Sequence, residues 1–271
     1  MDPDIAYANR DFIPDADEYL PYWEDAALNF RHIEHTVGRA RLNVPYGPDP
    51  REALDLFMPA GRPEGVMVFV HGGYWRAFDR SYWSHFAAGA TSRGWAVAMP
   101  SYPLAPQVRV GDITRCIRAA LQRACELVPK GPVVLTGHSA GGHLVLRMIC
   151  DDVDLPGVVS ERLRSVLAIS PVTDLRPLMD TKMNEDLRLD AAEAAAESPI
   201  LRQKGRDVRV ISWVGAEERS AFLDQAQWIC DAWSGTKLIV APGRHHFDVI
   251  DDLGQSDSPM MAELFGPRRA I

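Results

Sequence analysis

The feature that most constrains the fold of this chain is a recurrence. Six short runs are apolar almost throughout: GVMVFV (65–70), WAVAMPS (95–101), PVVLTG (132–137), SVLAIS (165–170), VRVISWVG (208–215) and KLIVAPG (237–243). A strand with one wet face alternates apolar and polar residues, so runs that do not alternate belong in a sheet covered on both sides. Between them, segments 79–93, 109–128, 140–151, 220–234 and 248–254 carry helical spacing. Strands alternating with helices in this way predict an α/β fold with a mostly parallel central sheet and helices on both faces. Ahead of the first run, ARLNVPYG and EALDLFMPA read as two strands joined by the turn-rich GPDPR, an antiparallel N-terminal edge on the same sheet.

At 271 residues the chain is long enough for a substantial core, and it is read as a single domain over 1–271. Two segments stand outside the alternation. Residues 1–38 hold Tyr7, Phe12, Tyr19, Tyr22, Trp23 and Phe30 without a clean strand. Residues 174–207, with AAEAAAESP inside, look helical and are expected to form a small lid insertion over the carboxyl edge of the sheet. The net charge of −8 argues against a nucleic-acid partner, because phosphate binding needs a basic face. No apolar stretch approaches the ~18–20 residues of a membrane span. The start, MDPDIAYANRDF, lacks the basic and apolar pattern of a signal peptide, and the four cysteines form no CxxC pair. A cytoplasmic protein with reduced thiols is expected. Cys116 and Cys125 share a predicted helix, but nine positions at ~100° each put them on opposite faces.

Within LTGHSAGGHL, the residues Gly137-His138-Ser139-Ala140-Gly141 fit G-x-S-x-G, the pattern of a nucleophile elbow. Three fixed positions match by chance in roughly one chain of this length in ten. The context adds more: the serine follows a buried strand and precedes an apolar helix. A sharp strand-to-helix turn there strains Ser139 and crowds the chain two residues to either side, where only glycine fits. A serine hydroxyl also needs a base and a pocket for the oxyanion. The loop His71-Gly72-Gly73-Tyr74-Trp75 ends the first central strand, and its glycines let backbone N–H groups approach. The Ala140 N–H, at a helix start, supplies a further donor. His71 is read as holding this loop.

In this fold the base follows the last strand, where APGRHHFDVIDDL offers His245 and His246. His138 and His143 lie on the wrong side of the elbow to take the serine proton, and His32, His35 and His85 have no catalytic context. Adjacent side chains meet one ion poorly, so His245, His246 and Asp248 are not read as a zinc site. The acid follows the penultimate strand, where Glu217 and Glu218 come first and Asp224 lies more than a turn into the next helix.

With these pieces assembled, the chain resembles the α/β-hydrolase superfamily, and more narrowly the kynurenine formamidase (arylformamidase) group with its related small carboxylesterases. The resemblance is carried by HGGYW (71–75), GHSAGGHL (137–144) and HFD (246–248), and by YANRDFIP, SYPLAP (101–106) and SPVTDLRPL (170–178). It implies an α/β-hydrolase fold, Ser139 as nucleophile and His246 as base. It implies an oxyanion hole from the backbone around Gly72, Gly73, Tyr74 and Ala140. Aligned on VGAEERSAF, it places Glu218 where the animal formamidases carry Asp. The expected activity is hydrolysis of a small-molecule carboxylic ester through an acyl-enzyme, with no metal or cofactor. The rivals are hydrolysis of an N-formylkynurenine-type formanilide and a non-catalytic ligand-binding protein on the same fold. Trp75 and Tyr102, with the N-terminal aromatics, are expected to bind an aromatic part of the substrate.

Overall fold

The computed structural model describes residues 2–267. Its centre is one sheet of eight strands: β1 (Ala40–Pro45), β2 (Ala53–Phe57), β3 (Val66–Val70), β4 (Ala96–Pro100), β5 (Val133–His138), β6 (Leu163–Ile169), β7 (Arg209–Gly215) and β8 (Lys237–Ala241). They lie in the order β1-β2-β4-β3-β5-β6-β7-β8. β2 pairs antiparallel with both β1 and β4, and every other pair is parallel. Each apolar run of the sequence is a strand, for the reason anticipated: β2 to β5 are buried at every residue.

The period of two along β3 divides the core. Val66, Val68 and Val70 point into a cluster with residues of α2 (Val110–Leu127), α3 (Ala140–Arg147) and α4 (Ser220–Ala232), whereas Met67 and Phe69 point to the other face. That second face is covered partly by α1 (Ala16–Thr36), which packs Trp23 and Ala27 inward. The sequence reading finds no clean strand in residues 1–38 and does not name this helix. The helical signal was present as Ala16, Leu20, Trp23, Ala27 and Phe30, spaced four, three, four and three apart. Pro21, which cannot donate an i→i−4 bond, obscured it.

Segment 174–207 is a series of short turns: 3₁₀ turns at Arg176–Asp180 and Pro199–Leu201, with helices at Asn184–Leu187 and Ala191–Ala196 between them. It is fastened to the body. The Glu197 carboxylate accepts from Arg147 at 3.0 Å and from the Thr114 hydroxyl at 2.7 Å, and its carbonyl accepts from His143 at 2.7 Å. No helix among the described residues is long and apolar enough to cross a membrane.

Candidate active site

Ser139 stands between the last residue of β5 and the first of α3, with φ 56° and ψ −118°. A non-glycine residue held there costs about 1–3 kcal/mol and persists only where its neighbours fix it. Here the Ser139 N–H donates to the Ile169 carbonyl at 2.8 Å and its own carbonyl accepts from His143 at 3.1 Å. The flanking glycines are required by contact. A Cβ on Gly137 would lie 2.3 Å from the Gly141 carbonyl oxygen, and one on Gly141 would lie 1.9 Å from that of Val70.

The serine is 3% exposed and opens into a cavity of about 740 Å³. His246 lines the same cavity. The His246 Nδ1 is 2.6 Å from Glu218 Oε2. Glu218 sits in the turn between β7 and α4, and its other oxygen accepts from the Gly215 N–H at 2.8 Å and from the Ser170 hydroxyl. A fully buried carboxylate is tolerated because each oxygen is bonded. With the carboxylate accepting, Nδ1 carries the ring proton and Nε2 is left as the acceptor. The ring is wedged between Phe222, at 4.4 Å, and His138, at 4.7 Å between centroids. Among the described residues the Ser139 hydroxyl has no hydrogen-bond partner.

The alternatives are sorted by position. His245 does not line the cavity. Its Nδ1 accepts from the N–H groups of Phe247 and Asp248 at 3.2 and 3.3 Å, and its Nε2 is 3.1 Å from the Tyr19 hydroxyl. Glu217 and Asp224 are exposed.

The loop after β3 aims its peptides. His71 Nδ1 donates to the Gly72 carbonyl at 2.7 Å, and the N–H groups of Arg76 and Ala77 both reach the Gly73 carbonyl at 3.0 Å. In a trans peptide the N–H points opposite its carbonyl, so those of Gly73 and Tyr74 are turned away from these anchors. Gly73 and Tyr74 line the cavity beside Ser139, and among the described residues no backbone acceptor takes either N–H. Ala140 opens α3, where the helix leaves its N–H without an internal acceptor.

Three expected members of the site stand elsewhere. Gly72 does not line the cavity; its bare Cα lets the loop close on the elbow, since a Cβ would lie 2.8 Å from the His138 carbonyl oxygen. Trp75 and Tyr102, expected to bind substrate, are fully buried and do not line it either. Trp75 packs edge-on against His143 at 5.0 Å, and Tyr102 stacks on His71 at 4.4 Å while its hydroxyl donates to the His71 carbonyl. Of the N-terminal aromatics, Tyr7 and Trp23 do line the cavity, joined by Tyr74, Phe78, Trp83 and Phe247. Sequence reading also missed His138 as a clamp: its Nε2 donates to the His246 carbonyl at 2.9 Å.

Three buried histidines and the half-buried His85 are kept neutral by desolvation. His71 and His85 are lowered to about 4, His143 to about 3, and His138 well below the usual imidazole range. The unfolded chain takes up these protons near pH 6.5, whereas the folded chain refuses them until about pH 4 or lower. Between those values the unfolded state binds more protons, so stability falls as pH drops. Each ring removes about 1.4 kcal/mol per pH unit in that window, on an order-of-magnitude count. Asp251, raised to about 6 by burial, and Asp252, also raised by burial, oppose this. Thermal unfolding near pH 7.5 and near pH 5 is expected to give the lower Tm at the acidic value; an equal or higher Tm there removes this account.

A model described as the alpha/beta hydrolase family matches residues 67–264. The chain belongs to that family. The kynurenine formamidase of Danio rerio is 27% identical over 88% of this chain and 85% of its own length. That of Salmo salar is 26% identical over 82% of this chain and 79% of its own. Among solved structures, a Silicibacter sp. protein provisionally described as a thioesterase is 50% identical. It superposes with a TM-score of 0.94 over 97% of this chain and 99% of its own. Esterase B of Lactobacillus rhamnosis shares the fold at a TM-score of 0.69 and 21% identity, over 92% of each chain. This member of the alpha/beta hydrolase family is a hydrolase enzyme.

Proposed function

We propose that this hydrolase cleaves a small-molecule carboxylic ester through an acyl-enzyme on Ser139. The observation that carries the reading is the buried Glu218–His246 pair, whose ring shares one cavity with the hydroxyl of a serine held at positive φ. His246 Nε2 takes the Ser139 proton as Oγ attacks the carbonyl carbon. The resulting oxyanion is met by the N–H groups of Gly73, Tyr74 and Ala140, and Glu218 stabilises the imidazolium. The imidazolium returns the proton to the departing alcohol. Water, deprotonated by the same ring, then releases the acyl group. A second reading, hydrolysis of an aryl formamide, is supported by the kynurenine formamidases that match over four-fifths of the chain. The machinery is common to both, and only the leaving group changes from oxygen to nitrogen.

A fluorophosphonate probe is expected to label Ser139, and p-nitrophenyl acetate and butyrate are expected to turn over. The same screen includes an acyl thioester and N-formylkynurenine. Preference for N-formylkynurenine in kcat/KM would move the assignment to the second reading, and failure to label Ser139 would sink both.

Replacing the acid has a specific consequence. Glu218→Gln keeps an oxygen for the Gly215 N–H and Ser170 but presents its amide N–H₂ to His246 Nδ1. The ring proton then moves to Nε2, and the base faces the serine in the wrong tautomer. A fall in kcat of about 10²–10⁴-fold with little change in KM is expected. Glu217→Gln, at an exposed site, is expected to stay near wild type. Interchanged results would move the acid by one residue.

A further inference from the structure

Residues 73–75 hold three successive left-handed backbone conformations: Gly73 at φ 105°, Tyr74 at φ 49° and Trp75 at φ 57°. Glycine takes such values freely; Tyr74 and Trp75 hold them only if their surroundings do the holding. Trp75 is fixed by its buried indole and by its carbonyl, which accepts from the Ala105 N–H at 2.9 Å. The Tyr74 side chain reaches out of the loop altogether, to the N-terminal segment. Its hydroxyl donates to the main-chain carbonyl of Tyr7 at 2.6 Å.

Tyr7 is a firm anchor. It is 5% exposed, its ring lies edge-on to Phe222 at 6.0 Å, and its hydroxyl accepts from Gln225 Nε2 at 2.8 Å. Gln225 is itself fully buried, and its Oε1 accepts from the N–H groups of Thr173 and Asp174 at 2.6 and 2.7 Å. A continuous set of bonds therefore runs from the loop after β3, through the N-terminal segment, to α4 and the loop after β6. Of these, the loop after β3 and the N-terminal segment line the cavity, and Phe222 on α4 is the ring packed against His246.

We infer that the Tyr74 hydroxyl, anchored on the Tyr7 carbonyl, is a positioning group that keeps the Tyr74 N–H aimed at the oxyanion. The inference rests on the serine-hydrolase reading above. Side chain and main chain of Tyr74 move together. Relaxation of φ toward ordinary negative values swings the ring off Tyr7 and rotates the peptide whose carbonyl is tied to Arg76 and Ala77. With the hydroxyl in place that relaxation loses a hydrogen bond; without it, that part of the resistance is gone. The N-terminal segment thus serves catalysis without supplying a reacting group.

The test compares Tyr74→Phe with Tyr46→Phe. Tyr46 also donates its hydroxyl to a main-chain carbonyl, that of Ser101, and does not line the cavity, so it matches the lost bond without touching the loop. Readouts are kcat and KM on p-nitrophenyl butyrate, Tm, and the inhibition constant of an alkyl trifluoromethyl ketone. Ser139 Oγ adds to that ketone's carbonyl carbon and the hydroxyl proton passes to His246, leaving an oxyanion. Outright loss of an oxyanion donor costs about 10²–10³-fold in kcat, so a misaimed one is expected to cost on the order of tenfold. Tyr74→Phe should therefore lower kcat about tenfold and weaken the ketone in proportion, with KM within about twofold, because the donor acts only on the oxyanion. Tyr46→Phe should lose a comparable amount of Tm and keep its kcat. Wild-type kcat in Tyr74→Phe overturns the inference, as does an equal loss of kcat in both variants, which would mark general loosening. A wild-type protein that neither turns over the ester nor binds the ketone would instead sink the serine-hydrolase reading, and the positioning role with it.

Discussion

Ser139→Ala is expected to lower ester turnover by about 10⁶-fold, the scale of losing a serine nucleophile whose base and oxyanion donors remain. The fold should survive. Alanine keeps the Cβ and therefore the same positive-φ strain, and among the described residues the hydroxyl that is removed has no hydrogen-bond partner to leave stranded. The Tm should accordingly stay within a few degrees of wild type, and the trifluoromethyl ketone should lose its covalent mode of binding. The residual rate is informative, because donors at Gly73, Tyr74 and Ala140 can still polarise a bound carbonyl toward water. Rate and Tm measured on one preparation check the claim. Activity within tenfold of wild type would sink the acyl-enzyme mechanism.

The parts of this site that were legible in the sequence are those where main-chain geometry dictates residue type. Gly137 and Gly141 are forced by carbonyl oxygens 2.3 and 1.9 Å from any Cβ, so the elbow could be read from glycine spacing. The apolar runs predicted their strands because a sheet buried on both faces leaves no polar positions. Trp75 shows where this reasoning stops. Its neighbour Tyr74 faces the cavity, yet two successive positive φ values turn the indole into the core, and no local composition encodes that direction. Part of the cavity's aromatic wall was equally hidden. Beyond the N-terminal Tyr7 and Trp23, Phe78 and Trp83 share one connection and Phe247 follows the last strand, and tertiary packing alone brings these three stretches together. His138 escaped for a related reason. Its neighbour Ser139 draws attention to a proton-transfer role, whereas the ring reaches a carbonyl 108 residues away.

The two adjacent histidines separate most clearly when activity and stability are measured together. His246→Ala is expected to cost nearly as much activity as losing the serine, because without a base Oγ stays protonated. It should also destabilise the fold. Glu218 is fully buried, and losing one of its hydrogen bonds costs about 1.5–3 kcal/mol for a charged acceptor. His246→Asn divides the two effects. Its amide N–H₂ can stand in for Nδ1–H toward Glu218, so most of the stability should return, but it offers no basic nitrogen in place of Nε2 and the rate should not recover. His245→Ala removes the acceptor for two main-chain N–H groups in the turn that carries His246. It should therefore act only through the position of its neighbour, with a loss of kcat of roughly tenfold or less, the size of a lost neutral hydrogen bond. Initial rates and thermal unfolding of the three variants decide the matter. Equal losses of activity in His245→Ala and His246→Ala would place the base in doubt, while rate recovery in His246→Asn would show that the ring serves only to hold Glu218.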